Sequence, residues 1–269
     1  MGNAQPVEAA ETSETRSGRP LHDRDDPSAR LSPPPPPRRP KDRVRRRMTK
    51  AFVALVLGGG FGFGLLFLVM PSAGTATALV RAQAGSHGIA YPDSPPPLRF
   101  AKALVATEDH RFYSPFDPGI DAFAIARATL EQITGHRGDP GGSTITQQLA
   151  KMLYTPRRGL TAKLEQVALA IKLNFAYSKI QILSMYAEVA YFGSGYYGLA
   201  AAGCGYFGKA PANLTWAQAA ILAGAVNAPT ADDPRTHPAD ARMREAHVLD
   251  RLVAVGYLTR AQAKAALSQ

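Results

Sequence analysis

Read for the spacing of its apolar and polar positions, the chain falls into distinct stretches. Residues 1–47 are polar and charged, include the run "LSPPPPPRRPKDR" and hold almost no bulky apolar side chain, which predicts a disordered Pro/Arg-rich tail. The run Ala51 to Met70, "AFVALVLGGGFGFGLLFLVM", carries no charge over 20 residues. That length suits a helix crossing a bilayer core of roughly 30 Å, so residues 48–72 are expected to be a transmembrane anchor. Its five glycines, Gly58, Gly59, Gly60, Gly62 and Gly64, weaken a helix in water and are tolerated in lipid. Residues 73–93 read as a linker, and 94–269 as one domain built of successive helices.

In that last stretch apolar residues recur at helical intervals and never alternate over several positions, so an all-α fold is predicted. "PPPLRFAKALVATEDHRF" places prolines at a helix start and then Leu98, Ala101, Leu104, Val105 and Phe112 along one face. "DAFAIARATLEQIT" is a second helix. "LTAKLEQVALAIKLNFAY" and "SKIQILSMYAEVAYF" follow, separated by a capping Ser178. Then come "LAAAGCGYF", "LTWAQAAILAGAVN" capped by Thr215, "ADARMREAHVLDRLVAVG", and a last helix from Thr259. Cys204 sits among small residues and reads as a packed thiol.

One short helix breaks the usual pattern. In "GGSTITQQLAK" the Gly141-Gly142 pair is a turn signal and Ser143 or Thr144 a natural N-cap. Steps of four join Ser143 to Gln147 and Lys151, and Thr144 to Gln148, while Ile145, Leu149 and Leu153 form a separate apolar stripe. Hydroxyls and amides are weaker helix formers than the Glu and Lys of ordinary solvated faces. A donor row that starts at a Gly-rich helix N-terminus is suited to an anion.

Charge narrows the partner. The net charge of +10 suggests an anionic ligand or surface. The cluster Arg43, Arg45, Arg46, Arg47 and Lys50 precedes the apolar run and places the N-terminus in the cytoplasm, so part of that charge is a topology signal. One cysteine excludes an intrachain disulfide framework or Cys-rich zinc site, and the six histidines show no ligand spacing, so no metal ligands are assigned. Glu108 continues the apolar face of its helix, three and four residues after Val105 and Leu104. A carboxylate in that position is partly desolvated and suited to acid–base work, or it closes its helix in a salt bridge. Asp109 points elsewhere and braces the turn that follows.

These residues carry a resemblance. "ATEDHRFY…GID", "GGSTITQQLAK", "KLEQ…A…YSKIQIL" and "YFGSGYYGLAAAGCGYFGK" are similar, in order, to the successive motifs of the family 51 peptidoglycan glycosyltransferases. The resemblance covers about Leu98 to Pro229. It implies a lysozyme-like, two-lobed helical domain behind a single membrane anchor, lying outside the cytoplasmic membrane. It also implies polymerisation of lipid II into glycan strands, with inversion at the anomeric carbon and release of undecaprenyl pyrophosphate. Glu108 would then deprotonate the acceptor hydroxyl, with Glu165 as second acid. Asp109, Phe112, Gly142, Ser143, Thr144, Gln147, Gln148, Lys151, Arg158, Lys163 and Gln166 would bind substrate. No cofactor is certain, and a divalent metal (Mg or Mn) at the pyrophosphate is compatible with the resemblance. Partners would be lipid II, the glycan strand, the membrane and other cell-wall synthesis proteins, with no nucleic acid.

The match departs from the family in two places. The first motif, usually Glu-Asp-x-x-Phe-x-x-His-x-Gly, is two residues longer here and lacks the histidine, with Asp117 the nearest substitute. The third, usually Arg-Lys-x-x-Glu, holds Ala162, Lys163 and Gln166, with Glu165 one place before the expected acid. One residue turns a helix by about 100°, so Glu165 replaces that acid only if the helix rotates or bulges. Glu188 is a further carboxylate that could supply the missing charge. No Ser-x-x-Lys transpeptidase motif occurs, so a monofunctional enzyme is expected. The alternatives are a lipid II-binding scaffold with impaired chemistry, a lytic enzyme sharing the helical fold, and, last, a membrane-tethered nucleic-acid binder.

Overall fold

The computed structural model describes residues 40–89, 95–115, 117–121, 143–155 and 159–268. The tail before residue 40, the body of the helix expected from Asp121 to Thr134, Gly142 and Arg158 lie outside the described residues. The chain divides into two compact units, Met1–Val53 and Ala54–Gln269. The described part of the first is the opening of helix α1 (Pro40–Val69), which carries the exposed Arg45, Arg46, Arg47 and Lys50.

In the second unit α1 runs on with Leu55, Phe61, Leu65, Leu68 and Val69 all exposed. An apolar helix with no fully buried residue, long enough to cross a bilayer, fits a membrane anchor. The chain then passes through a 3-10 turn (Ala73–Thr75) into α2 (Ala76–Ser86). The region expected as a linker is therefore in part a docked helix. Ala76, Val80 and Ala84 repeat every four residues and bury one face. The short side chains and the polar outer face hid that stripe from a reading for bulky apolar residues.

The remaining helices are α3 (Leu98–Glu108), α4 (Ile145–Leu153), α5 (Leu160–Ala176), α6 (Lys179–Val189), α7 (Leu199–Phe207), α8 (Trp216–Ala225), α9 (Pro238–Ala254) and α10 (Arg260–Leu267). Among the described residues there is no strand, only an isolated bridge between Tyr191 and Tyr197, so the all-α expectation holds. Four helices begin in the same way. Thr144, Ser178, Thr215 and Thr259 each accept the backbone N–H three residues on, where Gln147, Gln181, Gln218 and Gln262 reach back to the cap's own N–H. Each box satisfies two donors that the first turn would otherwise strand.

Helix α8 is the centre of one packing group. Ala217, Ala219, Ala220, Leu222, Ala223 and Ala225 are buried, and the small alanine side chains let α3, α9 and α10 close around it. A second group joins α4 to α5 and α6, with α2 against α6. Phe100, Leu104, Ile145, Leu149, Leu169, Leu173 and Met185 are fully buried in the common core. Truncating any one of them to Ala costs about 2–5 kcal/mol. Cys204 corrects an expectation: it is exposed, because α7 buries the face of Leu199, Ala202 and Gly203 instead.

Candidate active site

Helix α3 ends because the backbone turns out of the helix at Asp109 (φ −160°, ψ 71°). That turn sends two adjacent carboxylates in different directions. Glu108 lines a cleft of about 460 Å³, whose other walls come from Ser143, Gln147, Gln148, Lys151 and Met152 around α4, Gln166 of α5, Tyr186 of α6, Ala190 and Tyr191 just beyond it, and Val226, Asn227 and Pro229 after α8. Asp109 instead turns to the start of α4, where its Oδ2 accepts the Ile145 N–H at 3.2 Å.

The Glu108 carboxylate is held from three sides. Oε2 accepts a hydrogen bond from Gln148 Nε2 at 2.7 Å and Oε1 one from Asn227 Nδ2 at 3.2 Å. The Arg244 guanidinium on α9 stands 3.6 Å from Oε1, an ion pair rather than a hydrogen bond. Tyr186 sets the Gln148 amide: its hydroxyl donates to Oε1 of Gln148 at 2.8 Å, which turns the amide N–H toward Glu108. Burial, and after it the charge of Glu108, hold the Tyr186 phenol well above its ordinary value, so it stays a donor.

Cationic groups lie along the same cleft. Lys151 is exposed on its wall. Lys163 Nζ sits 2.5 Å from the Ser143 hydroxyl. Burial, and then the charge of Lys151, push the Lys163 ammonium below its ordinary value. Among the described residues neither lysine forms an ion pair, so the site is suited to receiving an anion. Gln147 is almost fully buried and lines the cleft; its Oε1 is spent on the capping box while Nε2 has no partner.

The donor row read from the sequence thus splits by task. Thr144 is buried, caps α4 and donates to the Gly119 carbonyl at 2.7 Å, so it holds the helix rather than the cleft surface. Ser143, Gln147, Gln148, Lys151 and Gln166 line the cleft, and Lys163 reaches it through Ser143. Phe112 is a core residue with no exposed surface, and Lys179 lies 4.7 Å above its ring. Asp109 is buried outside the lining, and its carboxyl is raised to about 7 by burial and then by the charge of Asp117, against the Ile145 N–H and Lys179.

The carboxylates considered for the missing acid lie elsewhere. Glu165 is half-buried on α5 and does not line the cleft, whereas Gln166 does: the helix keeps its regular turn, and one residue faces another way. Glu188 is buried outside the lining, raised to about 7 by burial, with Oε2 unpartnered. Asp117 pairs with Lys179 at 3.0 Å and accepts the Gly119 N–H at 2.8 Å. Among the described residues no group of three or more His, Cys, Asp or Glu could hold a metal ion. Among the described residues of the cleft the one carboxylate, Glu108, already faces three donor groups.

Spacing along the sequence singles out neither Asn227 nor Arg244, nor Tyr186 as a cleft residue. No spacing joins positions 108, 148, 186, 227 and 244; helix packing brings them together.

A family model described as transglycosylase matches residues 78–253. A putative transglycosylase of Cupriavidus necator is 34% identical over 232 residues, which cover 82% of this chain and 96% of that one. Penicillin-binding protein 1A of Aquifex aeolicus is 41% identical over 174 residues, covering 64% of this chain and 24% of the other. Penicillin-binding protein 1A of Neisseria flavescens is 38% identical over 168 residues, covering 62% and 21%. The chain therefore spans a quarter or less of the length of these two penicillin-binding proteins.

Proposed function

The chain belongs to the transglycosylase family, and from that premise we propose that it polymerises lipid II into glycan strands as a peptidoglycan glycosyltransferase. The observation that carries this reading is one cleft shared by Glu108, the unpartnered amide of Gln147 and the lysine-bearing wall of α4. Glu108 takes the proton of the acceptor sugar's 4-hydroxyl as that oxygen attacks the donor's anomeric carbon. The new bond joins the oxygen to that carbon with inversion, and the bond to the pyrophosphate oxygen breaks. The electron pair leaves with the lipid pyrophosphate, whose growing charge meets Lys151 and Lys163. The proton on Glu108 passes to water.

A lipid-linked substrate needs a cleft close to the bilayer. Lys172 on α5 donates to the Met70 carbonyl at 2.6 Å, where α1 has just ended, and Tyr177 donates to that of Ala73 at 3.1 Å. Gln166, in the cleft lining, is six residues before Lys172, about 9 Å along the helix axis. Phe175 and Ile180, 81% and 57% exposed, flank the same corner and fit the membrane surface. With Arg45, Arg46, Arg47 and Lys50 before the apolar run, the N-terminus is cytoplasmic and the helical domain extracytoplasmic. Other cell-wall synthesis proteins are natural partners at that location.

Purified full-length chain in detergent is given lipid II and the product resolved on a gel beside the Glu108→Gln variant. Strands from the wild type and none from the variant are expected; equal polymer from both would remove the base assignment. One observation favours a second reading, a lipid II-binding scaffold: Gln166 lines the cleft where the family's motif has an acid. Lipid II binding by the wild type without polymer would establish that reading instead.

A further inference from the structure

Arg244 lies in none of the motifs that point to the cleft and does not line it, yet it aims at the candidate base from behind. It belongs to α9, and its arm crosses α8 at Gly224 to reach the end of α3. A Cβ on Gly224 would stand 2.6 Å from Arg244 Cγ and 3.5 Å from Val248 Cγ2, so only glycine leaves that passage open. At its far end NH2 is 3.6 Å from Glu108 Oε1, and Nε is 3.9 Å from Asp232 Oδ2 without a hydrogen bond of its own.

The two carboxylate oxygens of Glu108 are therefore engaged unequally. Oε1 faces both Asn227 and Arg244, whereas Oε2 receives Gln148 alone. A carboxylate offers about two acceptor positions on each oxygen. On the Oε1 side one is taken by Asn227 and the Arg244 cation stands at ion-pair distance from the other, whereas Oε2 has Gln148 alone and keeps one for the proton of an incoming hydroxyl.

Building on the proposed role of Glu108, we propose that Arg244, admitted by Gly224, is a positioning residue: it pins Oε1 and so presents Oε2 to the acceptor. Binding of lipid II does not use this contact, because Arg244 is outside the cleft surface. The chemical step does use it, since displacing a catalytic group by about 1 Å costs on the order of 10²-fold.

The test is steady-state kinetics on full-length protein in detergent, each rate referred to the folded fraction measured by thermal melting. Arg244→Met is expected to lower kcat by about 10- to 100-fold with KM for lipid II within about twofold of wild type. Arg244→Lys recovers part of kcat because it returns a cation without the planar fork. Gly224→Ala keeps the guanidinium but blocks its path, and it reproduces the Arg244→Met defect. Asp232→Asn, which touches only the other end of Arg244, leaves kcat near wild type. The proposal is overturned if Arg244→Met turns over at the wild-type kcat, if it changes KM alone, or if its loss equals its unfolded fraction. Glu108→Gln run in parallel separates the two claims. A fully active Glu108→Gln removes the base assignment, while an inactive one beside a fully active Arg244→Met removes this proposal alone.

Discussion

Two polar clusters meet at the first turn of α4, drawn from neighbouring stretches of chain and similar in residue type. On one side is the corner of Asp109, Asp117 and Lys179; on the other is the cleft of Glu108, Gln147, Gln148, Lys151 and Lys163. In the corner the protein answers its own charges. Asp117 has Lys179 and the Gly119 N–H, and Asp109 has the Ile145 N–H and a carboxyl raised to about 7. Gly119 (φ +88°) lets the loop press against α5, where a Cβ would stand 2.8 Å from the Ala170 carbonyl oxygen. In the cleft the account stays open: the Gln147 N–H is unpartnered, Lys151 is exposed, and Lys163 has only a hydroxyl. A set of polar groups that completes its own bonds is scaffold, and one that leaves cations beside a cavity is suited to an anion.

That contrast can be broken experimentally, starting where the effect is greatest. Glu108→Gln is expected to lower polymerisation of lipid II by about 10²–10⁴-fold without lowering the melting temperature, as the proposed role of general base requires. Lys163→Met is expected to cost about 10²-fold in kcat, because on the proposed reading a cation facing the leaving pyrophosphate is lost. Its melting temperature holds, since the partner left behind is only a hydroxyl open to the cleft.

The corner responds in the opposite sense. Asp117→Ala strips a partly buried lysine of its partner and lowers stability by about 3 kcal/mol, while folded protein keeps its turnover. The carboxyl of Asp109, raised from its ordinary 3.8 to about 7, sets a pH window. Folding takes up a proton there, so stability from this group is fully present below about 3.8 and is lost as pH rises through 7. Asp109→Asn should therefore raise the melting temperature at pH 8 relative to wild type and bring much less gain at pH 5. The smallest effect is expected at the hinge of the two clusters. Thr144→Ala removes the cap of α4 for about 1 kcal/mol, read by denaturant melting.

Much of the helical plan was legible because its signals are local. Ser178, Thr215 and Thr259 could be named as starts from the chain alone, and α7 begins and ends where its apolar run does. The α2 helix escaped because its buried stripe is Ala76, Val80 and Ala84, small residues that a linker can also contain. Cys204 departs from its expected burial for a related reason: small neighbours do not say which face of a helix is covered. At the cleft, Gln147, Gln148 and Lys151 follow from helical spacing alone. The division of labour between Thr144 as cap and Gln147 as both cap and open donor does not.

The sequence by itself determined an apolar span of bilayer length, a run of capped helices, and a short helix rich in donors beside an acid on an apolar face. Those properties rest on periods of a few residues, and chain order encodes them directly. Tertiary structure alone decided that Gln166 and not Glu165 faces the cavity, that Phe112 belongs to the core, and that Asn227 and Arg244 converge on Glu108 from more than a hundred positions away. Such meetings depend on how whole helices pack against α8, and no local period carries that information.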